Sequence, residues 1–246
     1  LFLKKIDNKK KLEKLLKSRK KLLLKLKLHP KIFKNSKLIE LGSGSGQNTL
    51  VFDTMGADCT LVEYDKNSYL NSLKLFKKYA KNQYNIINKD LFKFKTKKKY
   101  DVVVSNGVAH HTVNPKKNLD ICCKLLKKEG FLLIGICLKS GWFQRNLQRA
   151  ILYNLSEDKN DLIVNSKILF KENLIRSEKF GGRNKFQVIF DTYVNPKINS
   201  LELEDIVKIF RKNNVSLFST FNYDKFIKDL LTPEFIQHRQ FDKKRA

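Results

Sequence analysis

Leu38-Ile39-Glu40-Leu41-Gly42-Ser43-Gly44-Ser45-Gly46 is an apolar run closed by an acid and followed by glycines at alternate positions. Such a run reads as a strand entering a tight turn that opens a helix. Glycine there supplies φ > 0 and a backbone bare enough for a ligand to approach. A second apolar run, Cys59-Thr60-Leu61-Val62, ends in Glu63, at the distance that closes a strand–helix–strand unit. An acid at that strand end accepts the hydroxyls of a ribose. The two segments together predict a site for a nucleoside-containing cofactor.

Outward from this unit the pattern stays regular. Apolar runs at 38–41, 59–62, 86–87, 102–104 and 131–136 alternate with helical stretches near 47–55, 67–80 and 116–127. Short, nearly continuous apolar strands between helices give an α/β fold: a Rossmann-like, doubly wound, mostly parallel sheet covered on both faces. Ligands of such sheets lie at the carboxyl ends of the strands. Glu40, Gly42, Glu63, Asp90, Asn106 and His110 are expected on that rim. After Ile136 the alternation stops. Helical stretches at 143–154 and 161–175, a Gly181-Gly182 turn and the run through Phe186–Asp191 to Pro196 read as an inserted lid after the fifth strand. A helix over 201–213 and a strand over 215–220 follow. The expected organisation is a basic helical segment (1–36), a cofactor-binding core (37–139), the insertion (140–200), and a closing helix and strand with a C-terminal tail (201–246).

At 246 residues, 41% apolar and with 18 Phe, the chain can bury a sizeable core. No apolar run approaches the roughly 18–20 residues that span a bilayer, and no secretory pattern follows the Lys-rich start. Cys59, Cys122, Cys123 and Cys137 sit in apolar patterns without metal-ligand spacing, so they read as reduced core residues. That suits a cytoplasmic protein with no resident metal. Nothing in the sequence states an oligomeric form. The formal net charge is +27, with 43 of 51 basic residues lysine. Residues 1–37 hold 14 Lys and Arg19 against Asp7 and Glu13, a net +13. This charge fits a polyanion partner and equally fits a lysine-biased composition with solvated faces. Leu12, Leu15, Leu16, Leu23 and Leu26 fall near helical spacing, and His29-Pro30 ends that element. A helix laid over the core edge is favoured over a basic helix on RNA or a membrane, because the stripe is interrupted and lacks Trp.

The glycine spacing is G-x-G-x-G and not G-x-G-x-x-G, and Glu40 stands two residues before Gly42. A carboxylate there is ill suited to a pyrophosphate and well suited to a sulfonium and an ammonium group. Glu40-Leu41-Gly42-Ser43-Gly44-Ser45-Gly46 resembles motif I of class I S-adenosylmethionine-dependent methyltransferases, and Glu63 matches their ribose-binding acid. Lys89-Asp90-Leu91-Phe92 is similar to the segment whose acid faces the adenine amino group. Tyr100 through Thr112 resembles the fourth-strand motif. Leu125 through Phe131 is similar to the turn before the fifth strand, with Lys128 in place of a proline and Glu129 in place of the first glycine. The resemblance covers roughly 36–138, and the Gly107-Val108-Ala109-His110-His111-Thr112 form is similar to the small-molecule branch that includes ubiquinone-pathway enzymes. It implies S-adenosylmethionine as cofactor, held by Glu40, Gly42, Ser43, Gly44 and Gly46 of the loop. Glu63 and Tyr64 would follow on the second strand, Asp90 and Leu91 on the third, Asn106 and Gly107 on the fourth.

Methyl transfer to a hydroxyl or amine requires in-line placement and a base for the departing proton. His110 and His111, directly after the fourth strand, are the candidate catalytic residues. Four of only eight arginines (Arg145, Arg149, Arg176, Arg183) lie in the insertion. Arginine forks suit a carboxylate or phosphate, so Arg145, Arg149 and Arg183 are candidate contacts to an acidic substrate, the competing reading being pairs with Asp or Glu. Tyr193 and Asn195 are candidates for the same pocket. The leading function is methylation of an O or N atom of a small molecule. The alternative is an RNA methyltransferase guided by the basic N-terminal segment, against which stand the Ser105-Asn106-Gly107-Val108 strand end and the lack of an RNA-binding module. A non-catalytic cofactor-fold binding module is disfavoured by the intact glycine turn and acids. A dehydrogenase is disfavoured by Glu40 and the glycine spacing.

Overall fold

The structure, a computed structural model, describes residues 9–181, 184–195 and 198–220. In chain order it runs α1 (Lys9–Lys25), β1 (Lys37–Leu41), α2 (Gln47–Asp53), β2 (Asp58–Glu63), α3 (Lys66–Tyr79) and β3 (Tyr84–Asn88). It continues with β4 (Tyr100–Asn106), α4 (Pro115–Leu125) and β5 (Leu126–Gly135). The five strands form one parallel sheet in the order β3-β2-β1-β4-β5. The central strands are apolar throughout because both faces are covered. Leu38 packs with Leu50 and Phe76 on one face, Ile39 and Leu41 with Val103 and Cys122 on the other. The order reverses between β1 and β4, and the crevice at their carboxyl ends is the ligand position of such sheets.

Leu12 and Leu23 of α1 are buried in the same cluster as Leu38, Leu50 and Phe52, while its lysines face out. The leucine stripe therefore closes the core. The insertion comprises α5 (Lys139–Leu155), α6 (Lys159–Leu169), α7 (Lys171–Gly181), α8 (Lys185–Ile189) and a π-helical turn at Phe190–Val194. These elements share their own apolar centre of Leu152, Leu162, Leu174, Ile189 and Tyr193. The chain returns at Leu201, which pairs with Leu138, and α9 (Leu203–Lys212) packs on α4.

Two expectations are corrected. The helical stretch over 161–175 is two helices, because Phe170 (φ −119°, ψ 29°) leaves the helical region and turns its ring toward Tyr193, 5.9 Å away. Residues 215–220 form no strand. Two large apolar residues, Leu217 and Phe218, are adjacent there and do not alternate. Both are exposed, and the Phe218 ring stands edge-on to Phe131 of the sheet at 5.7 Å. Arg183, Pro196, the end of the Gly181-Gly182 turn and the C-terminal tail from 221 lie outside the described residues.

The irregular first half of β5, where its register against β4 shifts between Leu126 and Phe131, carries a local cost. Glu129 is exposed with φ +63°, where the resembled turn has glycine. The left-handed region costs an ordinary residue about 1–2 kcal/mol, and glycine gives back about 0.5–1 kcal/mol through unfolded-state entropy. Glu129→Gly is therefore expected to raise stability by about 1 kcal/mol, read as a higher urea midpoint at unchanged slope.

Candidate functional site

The glycine turn is tied to β2 by Gly42 N donating to Val62 O at 2.8 Å and closed by Gly46 N donating to Ser43 O at 3.0 Å. Gly42 and Gly44 both have positive φ but for different reasons. A Cβ on Gly42 would come within 2.7 Å of the Val108 side chain, so here the chain after β4 presses on the turn. A Cβ on Gly44 would meet nothing within 4 Å, so its backbone faces open space. Beside it, the buried Ser43 Oγ has no hydrogen-bond partner among the described residues.

Glu63 closes β2 and is 9% exposed. Its Oε2 accepts from Gly44 N at 2.7 Å and its Oε1 from Asp65 N at 2.8 Å. Each oxygen keeps a free lone pair. The carboxylate thus pins the turn to the strand end while remaining able to accept from a diol. Tyr64 next to it is exposed. Asn88, which the sequence reading missed, donates from Nδ2 to Glu63 O at 2.8 Å and to Tyr64 O at 2.9 Å, holding the acid's backbone in place. An amide at the end of an edge strand was the available signal. At the end of β3, Asp90 Oδ1 accepts from Phe92 N at 2.8 Å, shaping the turn that buries Leu91. Asp65 caps α3 by accepting from Ser68 N at 2.7 Å. Asn106 and Gly107 end β4, with Gly107 N donating to Gly135 O at 2.9 Å and the Asn106 side chain lying across Gly135.

Glu40 departs from the open-rim expectation. It shares a face with Leu38, so its side chain is buried beneath α2 at 1% exposure and accepts from Thr49 Oγ1. Burial pushes its carboxyl up to about 7; the Thr49 hydrogen bond and the Arg19 charge pull it back, and the neighbouring Glu63 charge adds to the rise. Arg19, on α1, has a buried Nε without a partner among the described residues. The core cysteines are inert as nucleophiles, since burial pushes Cys122 up to about 12 and Cys123 up to about 11. Cys137 is only half-buried and borders a cavity, contrary to the core expectation.

That cavity, about 750 Å³, opens between the strand ends and the insertion. Gly107 and Gly135 form one wall, Trp142, Arg145 and Thr192 the other, and His110 and His111 lie between. The two histidines occupy a short 3-10 turn after β4, their ring centroids 4.2 Å apart. His111 Nδ1 is 3.0 Å from Asn195 Nδ2, and Asn199 N donates to His110 O at 2.7 Å. The returning end of the insertion therefore holds the histidine turn.

The arginines separate into different roles. Arg149 NH1 donates to the backbone carbonyls of Thr192, Tyr193 and Asn195 at 2.8, 3.1 and 2.9 Å. It fastens the π-helical turn, whose irregular carbonyls need a donor, and is corrected from substrate contact to structural clamp. Tyr193 is likewise corrected. It is fully buried, its OH donates to Gln148 Oε1 at 2.8 Å, and it does not border the cavity. Arg145 and Arg176 do border it, and neither is ion-paired with a carboxylate among the described residues, which for Arg145 departs from the competing pairing reading. Trp142, the only Trp, was left without a role in the sequence reading and lines the cavity.

A sequence-family profile described as "Methyltransferase domain" matches residues 9–215. Among solved structures, PKMT2 from Rickettsia typhi in complex with AdoHcy is similar at 19% identity and TM-score 0.63, over 81% of this chain and 42% of that one. The same protein described without AdoHcy gives 18% identity and TM-score 0.61, over 81% and 41%. The chain thus spans about two fifths of that protein's length, and the likeness shows a shared fold. No curated protein matches the sequence.

Proposed function

The chain belongs to the methyltransferase-domain family, and from that premise we propose that it transfers a methyl group from S-adenosylmethionine to an O or N atom of a small-molecule acceptor. The unpartnered Ser43 hydroxyl, the bare Gly44 backbone and the spare lone pairs of Glu63 fit an adenosine with a methionine tail. Gly42, Gly44, Gly46 and Ser43 would cradle the tail, Glu63 the ribose, Tyr64, Asp90 and Leu91 the base, and Asn106 and Gly107 the far side. Glu40 would act from beneath, its charge favouring the sulfonium and ammonium groups. When bound, the cofactor supplies an electrophilic methyl carbon: the acceptor's bond to carbon forms as the carbon–sulfur bond breaks.

What remains for the chain is placement and one proton. The insertion, as a lid over residues 37–139, excludes water and orients the acceptor. His111 takes the acceptor's proton. Asn195 Nδ2, 3.0 Å from Nδ1, holds the ring at the cavity; the ring nitrogen that carries the proton follows from the amide's orientation. Asn195 is thus a positioning residue. The observation that carries a small-molecule acceptor is the cavity, walled by strand ends on one side and the insertion on the other. The resemblance of Gly107 through Thr112 to the small-molecule branch supports the same reading.

The test supplies methyl-labelled S-adenosylmethionine to purified protein with a lysate split into small-molecule, RNA and protein fractions. Label is expected in small molecules, falling about a hundredfold in His111→Ala at unchanged cofactor affinity, the low end for loss of a base. Asn195→Ala is expected to lower the rate at unchanged cofactor affinity, because the His111 ring loses this contact. Label in RNA would overturn the proposal.

A further inference from the structure

We propose that Arg145, Ser177 and Thr192 form a carboxylate-binding subsite in the insertion, so that the methyl acceptor is a small carboxylic acid. The proposal rests on the methyltransferase reading for what happens at the other end of the cavity, and on its own geometry for the anion.

Arg145 and Arg149 stand one turn apart on α5 and have opposite circumstances. Arg149 is fastened through NH1 to three backbone carbonyls at 2.8–3.1 Å. Arg145 lies with its Cζ 5.9 Å from the Trp142 ring centroid, NH1 donating to Thr192 Oγ1 and NH2 to Ser177 Oγ, both at 3.3 Å. These are long contacts to neutral acceptors, and the guanidinium stays charged at any physiological pH. A half-buried cation met by two hydroxyls and an indole ring carries no opposite charge, and charge taken from water is retained where an opposite charge meets it. No carboxylate pairs with it among the described residues. Asp191, which also borders the cavity, is engaged by a partner of its own.

The two hydroxyls make the site specific. Each accepts from Arg145 through oxygen and keeps its own proton to donate, so α5, α7 and the π-helical turn converge a planar fork and two further donors. Arg176, one residue before Ser177, adds a second cation at the cavity edge without an ion pair among the described residues. The fork, the two hydroxyls and Arg176 all line the same cavity, and their donors match the two oxygens of a carboxylate. The acid is thereby anchored in the insertion while the rest of the molecule extends toward His111. A neutral acceptor of the same shape would leave the fork unpaired, and that difference is the discrimination.

Trp142 is the only tryptophan of the chain, so its fluorescence reports on this cavity alone. The experiment titrates the full chain with benzoate, benzamide and inorganic phosphate, and measures S-adenosylmethionine binding separately by calorimetry. Benzoate is expected to change Trp142 emission saturably and to bind at least tenfold more tightly than benzamide. Arg145→Gln is expected to erase that preference without altering cofactor affinity, and Arg145→Lys to restore part of it, since charge returns without the fork. Equal binding of benzoate and benzamide, no response to either, or a preference that survives in Arg145→Gln overturns the subsite. Phosphate binding more tightly than benzoate overturns the carboxylate assignment. Loss of cofactor binding with the benzoate preference intact would instead sink the methyltransferase reading and leave the subsite standing.

Discussion

Glu40→Gln is expected to stabilise the protein at pH 8 by about 3 kcal/mol while weakening its hold on S-adenosylmethionine. Burial raises the carboxyl from its ordinary value of 4.5 to about 7. Between those values the folded protein holds a proton that the unfolded chain has released. Stability from this group is therefore greatest below pH 4.5, falls as pH rises, and is lowest above 7. Glutamine keeps an oxygen for the Thr49 hydroxyl and removes the buried charge. Urea unfolding of both proteins at pH 5 and pH 8 measures the effect, and the native chain is expected to lose the difference that the variant does not. A cationic ligand reverses the preference, drawing the proton off Glu40. Affinity for S-adenosylmethionine should then tighten from pH 5 to 8 in the native protein and stay flat in the variant, with a smaller contrast for S-adenosylhomocysteine, which lacks the sulfonium charge. Parallel pH profiles in the two proteins would show that Glu40 does not sense the ligand.

Glu63→Ala is expected to weaken cofactor binding about a hundredfold, close to 2.7 kcal/mol. Two effects combine. The ribose loses a charged acceptor, and the amides of Gly44 and Asp65 lose the carboxylate that fixes the turn. Glu63→Gln should fall nearly as far, because its NH₂ must oppose one of two backbone N–H groups. Calorimetric titration at matched folding, checked by circular dichroism, reads the loss. Affinity within threefold of native would mean the acid is a loop anchor alone.

The difference between these two acids shows what the sequence made legible. Polar residues at the ends of apolar strands marked the rim, and Glu63, Asp90, Asn106 and His110 were found there because a parallel sheet leaves nothing else at those positions. Glu40 obeys the same strand pattern, yet its burial depends on α1 and α2 covering one particular face, a tertiary fact that parity along β1 does not contain. In the insertion the limit is sharper. Arg145 and Arg149 have the same spacing, helix and chemistry. Their different fates follow from the π-helical turn at Phe190–Val194, which offers its carbonyls to one and a hydroxyl to the other. No short-range pattern announces that turn, and with it went the placement of Tyr193. The segment at 215–220 forms no strand, and its Leu217 and Phe218 stay exposed.

The closure at Leu138 and Leu201 bears on how such a chain diversifies. Lys139 N donates to Leu201 O and Leu201 N to Cys137 O, both at 3.0 Å, so the backbone departs and rejoins at neighbouring rungs. Everything between is a cassette whose two ends are about 5 Å apart, the spacing of adjacent strands. Another helical unit with the same end-to-end gap could be grafted there, and the five strands would keep their partners. Selection can therefore rewrite the insertion while the half of the molecule that carries the glycine turn and Glu63 is inherited unchanged.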